Sequence, residues 1–473
     1  MSFQFSTEID QSRLFLVNYV NLDGRYDPFC YIPQLVELDD LIKSKTKHRL
    51  KYFSIYHASG ATPKKDNPDN YSDKEHGIPF IRVQNLSITG ELDLKNLVYI
   101  SKNTHEGLLR RSQIKEYDLL VKITGVGRMA VASVVPKGFE GNINQHIVLI
   151  RTGSKELSEN IAAFLNLDSV EKIASKRSTG GTRPALDYNA LFSIPIINNR
   201  NIYEKINLAV LSKKQKEAEM QSLLNGIDDY LLGELGIELP EPKNDTIQSR
   251  LFLHKFYEIS GNRFDAGYHH KIKLIFSQTT DFPITSLNNL IMCSPQYGAN
   301  ECAIDGEQGI THRYIRITDI DEYGNLKNDS WKTAEKIEDK YMLNYNDLLF
   351  ARSGSVGKAY LHKDISCRAI FAGYLIRFIL NTKKVNPDFI FYYCHSKFYK
   401  MWVDAIHRPA VQSNINSEEY KSLPIILPPL EKQNEIANNI TAIRKKAKQL
   451  QKEADEKFEE TKKELEAMIL GDN

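Results

Sequence analysis

Cysteine is scarce here, and what there is stands apart: Cys30, Cys293, Cys302, Cys367 and Cys394 are scattered over 473 residues with no CxxC pair among them. An odd, dispersed set speaks against a disulfide framework and against a zinc site, and points to reduced thiols in a cytoplasm. Long apolar runs are missing as well, so no membrane span is expected. The opening stretch MSFQFSTEIDQSR mixes charge in early and lacks the basic-then-apolar order of a signal peptide. Net charge is close to nil, +2 from 62 Lys and Arg against 60 Asp and Glu, so a nucleic-acid binder of this balance must concentrate its basic residues locally. A nucleotide loop is absent too. In ARSGSVGKAY (Ala351–Tyr360) the glycines Gly354 and Gly357 stand too close together, and Lys358 is followed by Ala359 where a P-loop needs Ser or Thr.

What the chain does have is itself, twice. QSRLFL occurs at Gln11–Leu16 and again at Gln248–Leu253. Further on, RYD (Arg25–Asp27) meets RFD (Arg263–Asp265), and FIRVQNL (Phe80–Leu86) meets YIRITDI (Tyr314–Ile320) with Gly90 against Gly324. YDLLVKITGVG (Tyr117–Gly127) meets NDLLFARSGSVG (Asn346–Gly357). RPA at Arg183–Ala185 meets RPA at Arg408–Ala410, and Ile194–Ile197 meets Leu423–Ile426. The order is kept throughout, while the sequence between these anchors diverges: one scaffold carries two surfaces.

Each copy reads as mixed α/β (α+β). GIPFIRVQNLSITGEL, EYDLLVKITG and NQHIVLIR are short, β-branched and turn-bounded strand candidates. SENIAAFLNLDSV and NPDFIFYYCHSKFYKMW have helical periodicity. Each copy then ends in a long charged helix. In the first, Ile206, Ala209, Met220, Leu223, Ile227 and Tyr230 recur at three- and four-residue steps, with Lys213 and Lys216 interrupting midway. In the second, Ile436, Ile440, Ile443, Ala447, Leu450 and Ala454 make an unbroken heptad seam, extended less regularly by Thr461, Leu465 and Met468. Two such seams either pack on their own domains or pair with each other; the duplication favours pairing.

No coherent catalytic set is present. NPDF (Asn386–Phe389) resembles an amino-methyltransferase signature, but its second proline is replaced by Asp388 and no Gly-rich strand-turn-helix for S-adenosylmethionine occurs, so a helix start with Pro387 in first position is the simpler reading. A nuclease set built from Asp69, Asp93 and Lys95 is degenerate and unrepeated. His146, His312 and His407 lack metal-ligand spacing. Basic residues with amide and hydroxyl neighbours at the turns are more informative, because such turns offer backbone N–H groups and a cation to DNA phosphates. The DNA-binding candidates of the first copy are Lys43, Lys45, Lys47, Arg49, Arg110, Arg111, Thr124, Arg128, Lys176, Arg177 and Arg183. Those of the second are His312, Arg313, Arg352, Ser353, Ser355, Lys358, His407, Arg408, Gln412 and Asn414. Arg suits guanine edges, and Asn or Gln suits adenine.

Two diverged α/β copies, each followed by a seamed helix, together with the DLL…TGVG and DLLFARSGSVGKA turns and LPPLEKQNEIANNI opening the last helix, resemble the specificity subunit of type I restriction-modification systems. The resemblance spans essentially the whole chain. It implies target-recognition domains at 1–197 and 246–428, with a first helix and its linker at 198–245 and a second helix at 429–473, the two helices forming an antiparallel coiled coil between the domains. It further implies a non-catalytic chain that reads a bipartite site on double-stranded DNA. The implied partners are two DNA methyltransferase (modification) subunits and an ATP-dependent restriction subunit; S-adenosylmethionine, ATP and Mg would be bound by those partners and not by this chain. A repeat-built protein-interaction scaffold and a DNA adenine methyltransferase or nuclease fragment are the alternative classes.

Overall fold

The repeated anchors build one β-frame twice. The computed structural model describes residues 10, 13–22, 24–239, 253, 268, 269, 271, 272, 275, 280–327, 330–406 and 414–471. They fall into two units: Met1–Glu217 with Lys452–Asn473, and Ala218–Gln451. In the first unit an antiparallel sheet runs in the order Tyr56–Ser59, Ile147–Arg151, Leu119–Lys122, Ala132–Val134. A second sheet of five strands contains the parallel pair Ile78–Ile81 and Gly141–Ile143. The second unit repeats the pattern with Gln296–Tyr297, Leu375–Ile379, Asp347–Ala351 and Ala359–Leu361, and with the parallel pair Arg313–Ile315 and Ala369–Phe371.

The central strands Leu119–Lys122 and Asp347–Ala351 are buried along their whole length, as short continuous apolar runs tend to be. Both are entered the same way. Tyr117 (φ 67°) and Asn346 (φ 71°) take left-handed conformations. The next residue, Asp118 or Asp347, closes the turn by accepting the N–H of Lys115 or Asn344, each at 2.9 Å. Burial raises both carboxyl pKa values, a rise opposed by those N–H groups and by Arg151 (3.1 Å) or Arg377 (3.3 Å).

Each predicted helix after the frame proves to be two. Lys155–Leu165 and Asp168–Arg177 are separated at Asn166, whose side-chain amide is drawn to the strand backbone at Ala132, accepting its N–H at 3.0 Å and donating to its carbonyl at 2.8 Å. Pro387–Tyr393 and Lys397–Ile406 are separated near Ser396, whose hydroxyl accepts the Tyr399 N–H at 3.1 Å. Pro387 does occupy the first helical position, and the Asn386 side chain accepts the N–H groups of Asp388 and Phe389 at 2.8 and 3.3 Å. That amide is a helix cap.

The long helices are Arg200–Glu234 and Leu430–Leu470. Within each unit the segments it contains run antiparallel. In the first, Lys205 contacts Met468, Lys213 pairs with Asp455 (2.5 Å) and Lys216 with Glu453 (2.6 Å). In the second, Glu219 pairs with Lys446 (3.2 Å), the Asn439 amide donates to the Tyr230 hydroxyl (2.8 Å), and Glu234 pairs with Lys432 (2.5 Å). Lys213 and Lys216 therefore do not interrupt the pairing: they join it through carboxylates, and the Lys213 ammonium also lies 5.5 Å from the Phe458 ring centre. Exposed pairs of this kind contribute at most about 1 kcal/mol each, so apolar packing holds the helices. Ile206, Ile436, Ile440, Ala447 and Ala454 are buried; Met220, Leu223, Ile227, Ile443 and Leu450 are half-buried. Past Ala454 the stripe runs through Phe458, Leu465 and Ile469, while Met468 is 56% exposed. A straight helix drifts from a heptad register, which carries the stripe one residue beyond Met468. No helix among the described residues is long and apolar enough to cross a membrane.

Candidate nucleic-acid interface

The buried central strand of each unit leads into a glycine turn. Gly125 (φ 121°) and Gly127 (φ 79°) shape the first, Gly354 (φ 71°) and Gly357 (φ 82°) the second, in backbone regions where side chains other than glycine are strained. Two backbone hydrogen bonds are common to both. The Ile123 N–H donates to the His146 carbonyl and the Arg352 N–H to the Tyr374 carbonyl, each at 2.9 Å. The Leu186 N–H donates to Ile123 and the Ile415 N–H to Arg352, each at 2.8 Å. Thr124 bridges to Ala185, and Ser353 to Asn414. Asn414 thus takes the place of Ala185. The second RPA triplet, Arg408–Ala410, lies outside the described residues.

Many of the sequence-predicted cations are engaged inside the fold. Arg128 binds Asp168 and the Asn166 carbonyl. Lys176 (3.1 Å), Arg177 (2.7 Å) and Lys43 (3.0 Å) all converge on buried Asp39. Burial pulls the Asp39 carboxyl upward, and Arg177, then Lys43 and Lys176, outweigh it and hold it below its ordinary range. Arg313 is buried, donates to the Lys327 carbonyl and lies 5.1 Å from the Trp331 ring centre. Lys358 donates to the Ile320 carbonyl at 2.6 Å, and burial lowers its pKa. Arg49 donates to the Thr46 carbonyl at 3.2 Å.

Others face solvent. Lys45, Lys47, Arg110, Arg111, Arg183 and Ser355 are exposed, as is Asn414; Thr124 and His312 are half-buried, and Ser353 is buried. Arg352 is half-buried with its guanidinium 4.9 Å from the ring centre of exposed Tyr297. His407, Arg408 and Gln412 lie outside the described residues.

Beside the second turn opens a groove of about 940 Å³, lined among others by Asn300, Glu301, Thr318, Ser353, Ser355 and Tyr374. Of these only the serines were singled out from the sequence. Asn300 and Tyr374 sit in the divergent stretches between anchors, where no periodicity marks them. Thr318 lies within an anchor and could have been found there, since it stands opposite Gln84 in the repeat.

Among the described residues, no group of three or more His, Cys, Asp or Glu is placed to hold a metal ion. Asp93 accepts the Lys95 N–H at 2.9 Å and so closes a local turn.

The family model described as the type I restriction modification DNA specificity domain matches residues 307–459. Over 401 residues, 80% of this chain and 78% of the relative, the chain is 22% identical to the type I restriction enzyme StySPI specificity subunit of Salmonella potsdam. Over 398 residues, with the same shares, it is 22% identical to the type I restriction enzyme EcoKI specificity subunit of Escherichia coli (strain K12). Among solved structures it is similar to a chain from work on complex assembly and conformational transition of the type I R-M system, with a TM-score of 0.45 and 14% identity over 89% of this chain and 95% of that one.

Proposed function

We propose that this chain, which is similar over most of its length to type I restriction enzyme specificity subunits, is the non-catalytic DNA-reading subunit of such a system and that each unit recognises one half of a bipartite target. It works in a complex with DNA. In this reading the complex contains two methyltransferase subunits, which bind S-adenosylmethionine, and a restriction subunit that uses ATP and Mg, all in the cytoplasm. The observation that carries the reading is the pair of turns: two backbone hydrogen bonds are common to both anchor turns, which present different exposed side chains. A duplicated fold needs the same frame twice; a bipartite, asymmetric target needs the two surfaces to differ.

The exposed cations Lys45, Lys47, Arg110, Arg111 and Arg183 suit phosphate contacts, which position a protein without reading sequence. The test uses the chain assembled with its modification subunits. Affinity for duplex DNA should fall linearly on a log–log plot as salt rises, and Arg110→Ala with Arg111→Ala should make that slope shallower by about 2. Selection from a random library should yield two specified blocks around an unspecified spacer. Salt-independent association without any consensus would instead favour a protein-binding scaffold.

A further inference from the structure

The two units can be matched residue by residue beyond the turns, and the match locates the positions at which they differ. Gly60 and Gly298 are equivalent: a Cβ on the first would lie 1.8 Å from the Ile143 carbonyl oxygen, and on the second 2.3 Å from that of Ala372. Each strand therefore crosses directly over the end of its parallel pair. Two residues on stand Thr62 and Asn300. Arg82 and Arg316 are equivalent as well, each opening a short turn by donating its backbone N–H, to Asn85 at 3.0 Å and to Asp319 at 2.9 Å. The middle residues of those turns, Val83–Asn85 and Ile317–Asp319, are Gln84 and Thr318, both exposed. His146 and Tyr374 are matched by the carbonyl bonds already described.

We propose that these matched positions form one base-reading groove used once in each unit, with Asn300, Thr318 and Tyr374 reading one half-site and Thr62, Gln84 and His146 the other. This rests on the DNA-reading function above. The backbone beneath the groove is held constant, so the difference between the units falls on side chains whose chemistry discriminates bases. Asn and Gln pair with the N6 and N7 edge of adenine, and the Thr methyl packs on the thymine methyl. Tyr374, 62% exposed, offers a ring and a hydroxyl. Glu301 on the groove wall repels phosphate and accepts from cytosine N4, so the groove suits base edges. The first unit fills the same place differently. Thr62 bonds the Gln145 side chain, whereas Asn300 lies over Gly373, where a Cβ would come within 1.9 Å of its Oδ1.

Reciprocal exchange tests this. Thr318→Gln and Gln84→Thr are made separately, and each chain is assembled with its modification subunits and used to select bound sequences from a random library. Thr318→Gln should change preference by about tenfold at a position in one block and leave the other block unchanged, and Gln84→Thr should do the reverse. Both side chains are exposed, so an unaltered melting temperature will confirm that each variant folds. If the wild type selects two blocks and the variants select the same two, the groove is not the reader although the DNA-reading function stands. A uniform loss of affinity with unchanged preference would likewise overturn it, by making these residues phosphate contacts. A wild-type complex with no sequence preference would sink both this assignment and the function on which it depends.

Discussion

Lys122 in the first unit stands where Ala351 stands in the second, and the two glycine turns are secured by different chemistry as a result. In the second unit Tyr420 fills the space over Ala351. Its hydroxyl donates to the Ala351 carbonyl at 2.7 Å and accepts the Gly357 N–H at 3.1 Å, while Tyr399 donates to the Gly357 carbonyl at 2.7 Å. Phe350 stacks on Tyr420 at 4.6 Å, and all of these rings are buried. The first unit has Leu191, which carries no hydroxyl, at the matching place of its short helix. The Lys122 ammonium reaches back to the Val126 carbonyl at 2.9 Å and ties the turn from beneath. The neighbouring helix of the first unit is likewise fixed by charge: Lys176 and Arg177 on Asp39, and Arg128 and Lys462 on Asp168. Beneath the glycine turn, neutral hydroxyls act in one copy and an ammonium in the other, while both strands keep a buried Asp–Arg pair. Removing a charge at Asp39 or Lys122 should therefore be felt in the first unit, and removing a hydroxyl at Tyr420 in the second.

The largest expected effect comes from removing the carboxylate on which three cations converge. Asp39→Asn leaves the half-buried Arg177 and Lys176 without their buried counter-charge and should destabilise the first unit by about 3 kcal/mol. The same site gives a pH signature. The Asp39 carboxyl is depressed in the folded state, so its contribution is present above the ordinary carboxylate range and is lost as pH falls below about 4. Acid titration of stability, followed by amide exchange in the strand Leu119–Lys122, should be steeper in the wild type than in Asp39→Asn. Equal slopes would remove charge from the account of this unit.

The complementary change is Tyr420→Phe. It keeps the ring and strips the hydroxyl from two buried backbone groups, Ala351 C=O and Gly357 N–H, at a cost of about 2 kcal/mol. Exchange at the Gly357 amide should accelerate while the Gly127 amide stays as it was. Protection at Gly357 that survives the substitution would mean that its backbone bond to the Ala351 carbonyl (3.3 Å) holds the turn without the Tyr420 hydroxyl, and the contrast between the units would shrink accordingly.

How much of this could be read in advance depends on where the determinant lies in the chain. The frame was legible because its requirements are local: apolar residues for the strand and glycines for the turn. The paired helices were legible through Ile436, Ile440 and Ala447, since a stripe repeats within a few residues. The fate of the cations was not. Arg128 meets Asp168, and Arg177 meets Asp39, only once separate elements have packed, and no spacing in the sequence announces such partners. A basic residue at a turn therefore read as available to DNA when the fold had already claimed it. The partner of Ser353 was hidden for a related reason: its bridge goes to Asn414, and a pairing partner is chosen by the sheet.

The smallest effect is expected at Lys122 itself, and its sign discriminates best between a lysine that ties the turn and one merely tolerated there. The ammonium is buried, and burial lowers its pKa, with Glu171 opposing the shift only in part. Lys122→Met removes the bond to Val126 but also removes the desolvation of a charge. The two terms are of similar size, so stability near neutral pH should change by no more than about 1 kcal/mol. The pH dependence does not cancel. A lysine whose folded pKa lies below its unfolded value of about 10.4 binds fewer protons when folded, so its contribution is fully present above that value and is lost as pH falls through the folded pKa. Raising the pH from 8 toward 10 should accordingly stabilise the wild-type first unit relative to Lys122→Met. Denaturant unfolding of the two chains at matched pH, with amide exchange at Gly125 and Gly127 reporting on the turn, measures the difference directly. A gap that stays constant with pH would show that the ammonium is as well solvated in the fold as outside it. The two glycine turns would then differ in side chains alone and not in how they are held.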